Sequence, residues 1–346
     1  MRELVDDDTA LPYDALLVVS FGGPEGPDDV LPFLENVTKG RDVPPARLAA
    51  VAAQYERFGG VSPINGHTRR LVAALVDKLG TDGPDLRVYW GNRNWHPLLA
   101  DVVAEMADDG VRRALAFVTS AFSSYSGCRQ YVNDIALARA VVGPRAPEID
   151  KLRVFFNHPG YIVPLAARTV ASLNSLPAEL RSEAVLVFTA HSIPVDMAGA
   201  SDYETQLRDA AGLVAERVDD GRPWVLAFQS RSGRPTQPWL EPDVGDVLDR
   251  LALEGTRAVV VVPVGFVSDH MEVVYDLDVV ARGRAETAGL TMRRVSTAGD
   301  DPAFVEMIRE LALERIAPDT VVPRSLGALG VHGHACPAGC CRAAAR

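Results

Sequence analysis

Three groups of residues in this chain of 346 have types and spacings suited to chemistry. His191 closes the apolar run of FTAHSIP (188–194). An imidazole there can accept a proton or bind a metal near neutral pH. Read singly, it is equally a histidine hydrogen-bonded to its own loop. Glu272 and Asp276, in FVSDHMEVVYDLD (266–278), are four apart, so on a helix they share one face. Carboxylates on one face of a cleft can pass protons or guide a cation; on an outer face they only meet solvent. The third group is the tail HGHACPAGCC (332–341), with Cys336, Cys340, Cys341 and two histidines. Such crowding of thiols and imidazoles reads as an iron–sulfur site, a zinc site or a reactive, disordered tail.

Positioning these groups requires a frame, and apolar runs supply it. Strands are expected at Ala15–Ser20, Leu86–Trp90, Ala114–Thr119, Leu152–Phe156, Ala184–Thr189, Trp224–Phe228, Ala258–Pro263 and Thr291–Val295. The runs are continuous rather than alternating, as in parallel strands buried on both faces. Periodic stretches such as Thr68–Leu79, Tyr203–Val218 and Val244–Leu253 read as the helices between them. The fold class is therefore α/β: two similar Rossmann-like halves, each with a four-stranded parallel sheet flanked by helices, and a cleft between them. LLVVSFGGP (16–24) parallels LVFTAHSIP (186–194), and FVTSAFSS (117–124) parallels VVPVGFVSD (261–269). The expected division is 1–160, 161–316 and a tail from 317 to 346. Ligands of open α/β sheets sit beyond the carboxyl ends of the strands, where His191 and Glu272 fall.

Composition narrows the function. The formal net charge is −11, with no long basic run, which argues against nucleic acid as the main partner. No GxGxxG follows a strand and no Walker A sequence is present, so no nucleotide is expected. Residues 1–12 are acidic (Asp6, Asp7, Asp8), unlike a secretory signal. The most apolar stretch, Ala258 to Val267, is about half of what a membrane span needs. A cytoplasmic monomer is expected, without a membrane span and at most peripheral. In such a compartment the four cysteines are not expected to form a disulfide framework.

Eight segments together carry a resemblance. They are LLVVSFGGPEGP (16–27), FGGVSPINGHT (58–68), WGNRNWHP (90–97), SAFSSYSGCRQYVND (120–134), FTAHSIP, FQSRSG (228–233), PWLEPDV (238–244) and FVSDHMEVVYDLD. In order and spacing, over nearly the whole length, the chain resembles the ferrochelatases, class II chelatase-like enzymes that insert ferrous iron into a tetrapyrrole. The resemblance implies that His191 is the metal-site imidazole and Glu272 its partner across the macrocycle, one presenting Fe²⁺ while the other accepts pyrrole protons. It implies tetrapyrrole contacts at Ser62 and Tyr131, and carboxylate-holding roles for Lys39, Arg41, Gln54 and Tyr55. Phe21 stands where bacterial relatives often have a tyrosine that reaches iron, and a phenyl ring cannot coordinate. Val280 stands where many relatives extend the acidic ladder, which here stops at Asp276 as a relay residue.

The segment from Val37 to Phe58 carries Lys39, Arg41, Arg47, Glu56 and Arg57. This polar, basic rim suits coproporphyrin III, with four carboxylates, better than protoporphyrin IX, with two. The motifs are most similar to those of actinobacterial members, whose pathway runs through coproporphyrin. A chelatase for another divalent metal and a tetrapyrrole carrier are the remoter readings. Some members hold a 2Fe–2S cluster in a C-terminal tail, which implies Cys128, Cys336, Cys340 and Cys341 as ligands here. Zinc on the three tail cysteines and His332 or His334 is the competing reading.

Overall fold

The computed structural model describes residues 12–40, 43–219, 221–334 and 339–343. Arg41 and Cys336 lie outside these residues.

Two parallel sheets of four strands form the frame, as expected from the sequence. The first has the order β2-β1-β3-β4: β1 (Ala15–Ser20), β2 (Arg87–Asn92), β3 (Arg113–Val118) and β4 (Glu148–Lys151). The second repeats it as β6-β5-β7-β8: β5 (Val185–His191), β6 (Trp224–Gln229), β7 (Ala258–Val262) and β8 (Thr291–Arg294). All neighbouring pairs are parallel. The order reverses between β1 and β3 and again between β5 and β7, which makes two switch points where crossovers diverge and leave a crevice. The similar segments seen in sequence end these strands.

Strand periodicity explains why the runs are apolar throughout. Leu16, Val18, Leu186 and Phe188 turn inward to one core shared by both halves. Their neighbours Leu17 and Val19 face a second cluster with Val102 and Met106, and Val185 and Val187 a third with Leu248 and Leu277. Phe117, Phe155, Tyr161 and Phe304 pack as an aromatic knot in the shared core. Truncating one of these rings to alanine costs about 3–5 kcal/mol. The last long helix, Pro302–Ile316, returns to the first half, where Arg309 donates to the carbonyls of Asp82 and Gly83.

One strand is displaced from its expected place. Leu152–Phe156 is buried but carries no ladder beyond Lys151; β4 is the polar run Glu148–Lys151 just before it. An edge strand keeps one side near solvent and needs no continuous apolar run, whereas Leu152–Phe156 is apolar because it threads the shared core. The helix expected from Asp269 onward also differs. It is α-helical over Met271–Tyr275, widens to π over Asp276–Ala281 and returns to α over Arg282–Thr287. A second π turn, Tyr125–Arg129, precedes helix Gln130–Val142. Single π turns within helices often mark functional sites. Among the described residues, no helix is long and apolar enough to cross a membrane.

Candidate active site

His191 is the last residue of β5, and the loop after β7 leads into Met271–Tyr275. Neighbouring strands therefore bring the two side chains together. His191 Nε2 lies 3.5 Å from Glu272 Oε1. The expectation that they flank the macrocycle from opposite faces is corrected by this distance. A flat ring system touched on both faces needs roughly 7 Å between the touching atoms. Both residues belong to the second half and form one contact pair on one wall. Their side chains are 30% and 52% exposed, so a substrate can reach them.

The surroundings fix the pair. His191 Nδ1 is 2.5 Å from the carbonyl of Ser192, which orients the ring with Nε2 towards Glu272. The Tyr203 hydroxyl donates to the His191 carbonyl, and Gln229 Nε2 donates to the Glu272 carbonyl. Arg294, at the end of β8, pairs with Asp269 and Asp278, clamping the acidic segment from both sides. Burial lowers the His191 pKa, but the Glu272 carboxylate more than offsets it, and the net shift is upward. Burial raises Glu272, yet the His191 charge dominates and holds it at about 2. Asp276 is pushed up to about 6 by burial and by Glu272, against the hydrogen bond it accepts from Ser230. A carboxyl that titrates near neutral pH can relay protons. Val280, one turn further, is exposed and cannot.

Sequence reasoning missed several members. His270 Nδ1 is 3.9 Å from Glu272 Oε2, so the carboxylate stands between two imidazoles. Its position two residues before Glu272 in SDHMEV was the available signal. Gln229 and Ser230, in FQSRSG, were legible as a motif but not as the supports of Glu272 and Asp276. Ser230 holds its hydroxyl there at the cost of a φ of 62°, rare for a residue with a side chain.

The opposite wall comes from the first half. Helices Pro27–Val37 and Pro45–Glu56 form a cluster in which Phe33 and Tyr55 pack with Met271 of the second half. Tyr55 is buried, and that burial, with the charge of Glu272, pushes its hydroxyl up. Phe21 follows β1, is partly exposed and meets Phe33 edge-on. Ser62 is buried against Gly23: a Cβ on that glycine would sit 2.6 Å from the Ser62 Cβ, so only glycine fits. Tyr131 is buried, 5% exposed. Lys39 is exposed and Gln54 half-buried on the rim, with Arg47, Glu56 and Arg57 exposed beside them.

Two of the three described cysteines, Cys340 and Cys341, lie with Sγ atoms 3.3 Å apart. The Cys341 thiol is pushed up by its hydrogen bond to Cys128, by burial and by Cys340, so Cys341 meets both of the other described thiols. Cys341 N–H donates to the Ala200 carbonyl, which fastens the tail there. Among the described residues, no group of three or more His, Cys, Asp or Glu side chains is arranged to hold a metal ion.

Comparison with known proteins shows the family. A relative from Frankia alni named coproporphyrin III ferrochelatase is 56% identical over 95% of this chain and 86% of its own length. One of the same name from Streptomyces coelicolor is 51% identical over 97% and 95%. A protein from Rhodopirellula baltica named ferrochelatase is 50% identical over 95% and 93%. Among solved structures, SirB from Bacillus subtilis, solved with Fe³⁺, shares the fold at a TM-score of 0.50 and 12% identity, covering 88% of this chain and 97% of that one. The family model described as Ferrochelatase matches residues 13–316, and the chain belongs to the ferrochelatase family.

Proposed function

We propose that this protein inserts ferrous iron into coproporphyrin III to give coproheme. The observation that carries the reading is the His191–Glu272 contact at the second switch point, facing the first half's aromatic wall. The rim supports the choice of tetrapyrrole: Lys39, Arg47 and Arg57 are exposed cations suited to several carboxylates. The names of the Frankia and Streptomyces relatives support it too.

In this mechanism Fe²⁺ exchanges water for the Glu272 carboxylate on one side of the macrocycle, while His191 beside it takes up pyrrole protons. The two pyrrole N–H protons leave as iron enters, so the reaction releases two protons per iron. Neutral His191 accepts a proton at Nε2, with Nδ1 held by the Ser192 carbonyl. Asp276, poised at about 6, carries protons onward. Ser62, Tyr131, Phe21, Gln54, Tyr55, Lys39 and Arg41 are assigned to the tetrapyrrole. We read residues 1–160 and 161–316 as the two halves and 317–346 as the tail, and the protein as a cytoplasmic monomer.

A 2Fe–2S cluster on Cys128, Cys336, Cys340 and Cys341 belongs to the same proposal. Its support is the meeting of Cys341 with Cys340 and with the distant Cys128. A cluster there would supply a one-electron redox centre, and no step of iron insertion runs through it.

The test is an anaerobic assay offering Fe²⁺, Co²⁺ or Zn²⁺ with coproporphyrin III or protoporphyrin IX, followed by absorption. Faster turnover of Fe²⁺ with coproporphyrin III is expected. Preference for protoporphyrin IX overturns the substrate, preference for Co²⁺ overturns the metal, and tetrapyrrole binding without insertion overturns the enzyme.

A further inference from the structure

The first half holds a buried cation that iron insertion leaves unused. Arg93 extends from the end of β2 in WGNRNWHP, and its side chain is 10% exposed. Its backbone N–H donates to the Ser20 carbonyl, and the next residue's N–H donates to the Phe21 carbonyl, so it is stitched to the end of β1. Arg93 Nε lies 2.5 Å from Asp134 Oδ2. Its guanidinium carbon is 4.7 Å from the Tyr131 ring centroid and 5.6 Å from that of Phe21. Asp134 and Tyr131 are three apart on helix Gln130–Val142 and lie on one face, so a single planar cation ties that helix to the turn after β1.

We propose that Arg93 is a positioning residue for the tetrapyrrole, fixing the rings of Tyr131 and Phe21 where the macrocycle meets the first half. Asp134 balances its charge, so the guanidinium acts as a flat cation gripping two aromatic rings rather than as a counter-ion for substrate carboxylates. Arginine is required, because a lysine ammonium is a point charge that cannot address two rings and a carboxylate through one plane. This inference rests on the reading of Tyr131 and Phe21 as tetrapyrrole contacts.

The test is a double-mutant cycle read as the Kd for coproporphyrin III by porphyrin fluorescence, with KM for Fe²⁺ measured alongside. Arg93→Gln is expected to weaken tetrapyrrole binding about tenfold and to change KM for Fe²⁺ less than twofold. In a Tyr131→Leu background the same substitution is expected to cost clearly less than in the wild type, only the share that acts through Phe21 remaining. Arg93→Lys should recover only part of the loss. If Arg93→Gln does not fold, Arg93→Gln with Asp134→Asn, which leaves no unpaired charge, carries the cycle. Equal losses in both backgrounds overturn the positioning role and leave the Tyr131 reading standing. A Tyr131→Leu variant that binds tetrapyrrole normally overturns both.

Discussion

Glu272 Oε1 meets His191 Nε2 at 3.5 Å, although the two side chains leave the ends of different elements, a strand and a helix. The pair exists because β5 and β7 are neighbours in the sheet, so the loops that follow them are neighbours too. One wall of the cleft thus carries both the imidazole and the carboxylate.

His191→Ala should reduce iron insertion to background while the protein stays folded. The side chain is partly exposed, so its loss removes little packing. Turnover and thermal denaturation measured on one preparation check this. Near-normal turnover would remove His191 from the mechanism.

The pH dependence follows from the same contact. His191 titrates above its ordinary 6.5, because Glu272 outweighs burial. A base works only when neutral, so kcat/KM should rise with pH through an apparent pKa above 6.5. In Glu272→Gln burial is opposed by less charge, and the limb should move to lower pH. A limb that stays in place would mean that another group sets it.

A buried ion pair predicts a stability effect far from the cleft. Arg153 and Glu314 pair at 2.7 Å with side-chain exposures of 0% and 2%. Glu314→Gln should cost about 3–5 kcal/mol in urea unfolding, because Arg153 is left buried without its partner. The acid dependence has a fixed sign. Burial raises Glu314, but Arg153 and His334 hold it at about 2, so its contribution is present above about 4.5 and is lost as pH falls towards 2. Burial holds His158 at about 3, and its Nδ1 must stay unprotonated to accept from the Gly160 N–H. The unfolded chain takes up that proton below about 6.5, which also destabilises the fold on the acid side. These two groups therefore make stability fall as pH drops below 6.5, whereas the raised His191 adds a contribution that is present below 6.5 and lost as pH rises through its folded value.

The tail makes a spectroscopic prediction. Protein prepared anaerobically should be brown, with visible charge-transfer absorption that Cys341→Ser abolishes. A colourless preparation containing zinc would replace the cluster with a zinc site.

Much of this was legible in the residues. Seven of the eight strands lie at or near their expected places, and the central ones β1, β5 and β7 are the most apolar, since a strand buried on both faces must be. β4 was not legible: it is polar because it lies at an edge, and the nearby apolar run belongs to the core. His191, Glu272 and Asp276 were recognisable from motif and spacing. Their placement on one wall was not, because it depends on which strands are neighbours.

The sequence by itself determined the parallel α/β architecture and the family, because apolar patterning and motif order are written along the chain. Only the tertiary structure decided that Glu272 stands beside His191 rather than opposite, that Ser230 steadies Asp276, and that Arg93 lies between two rings. Those are contacts between residues far apart in sequence, set by strand order and by π turns whose hydrogen-bond pattern leaves no mark in composition.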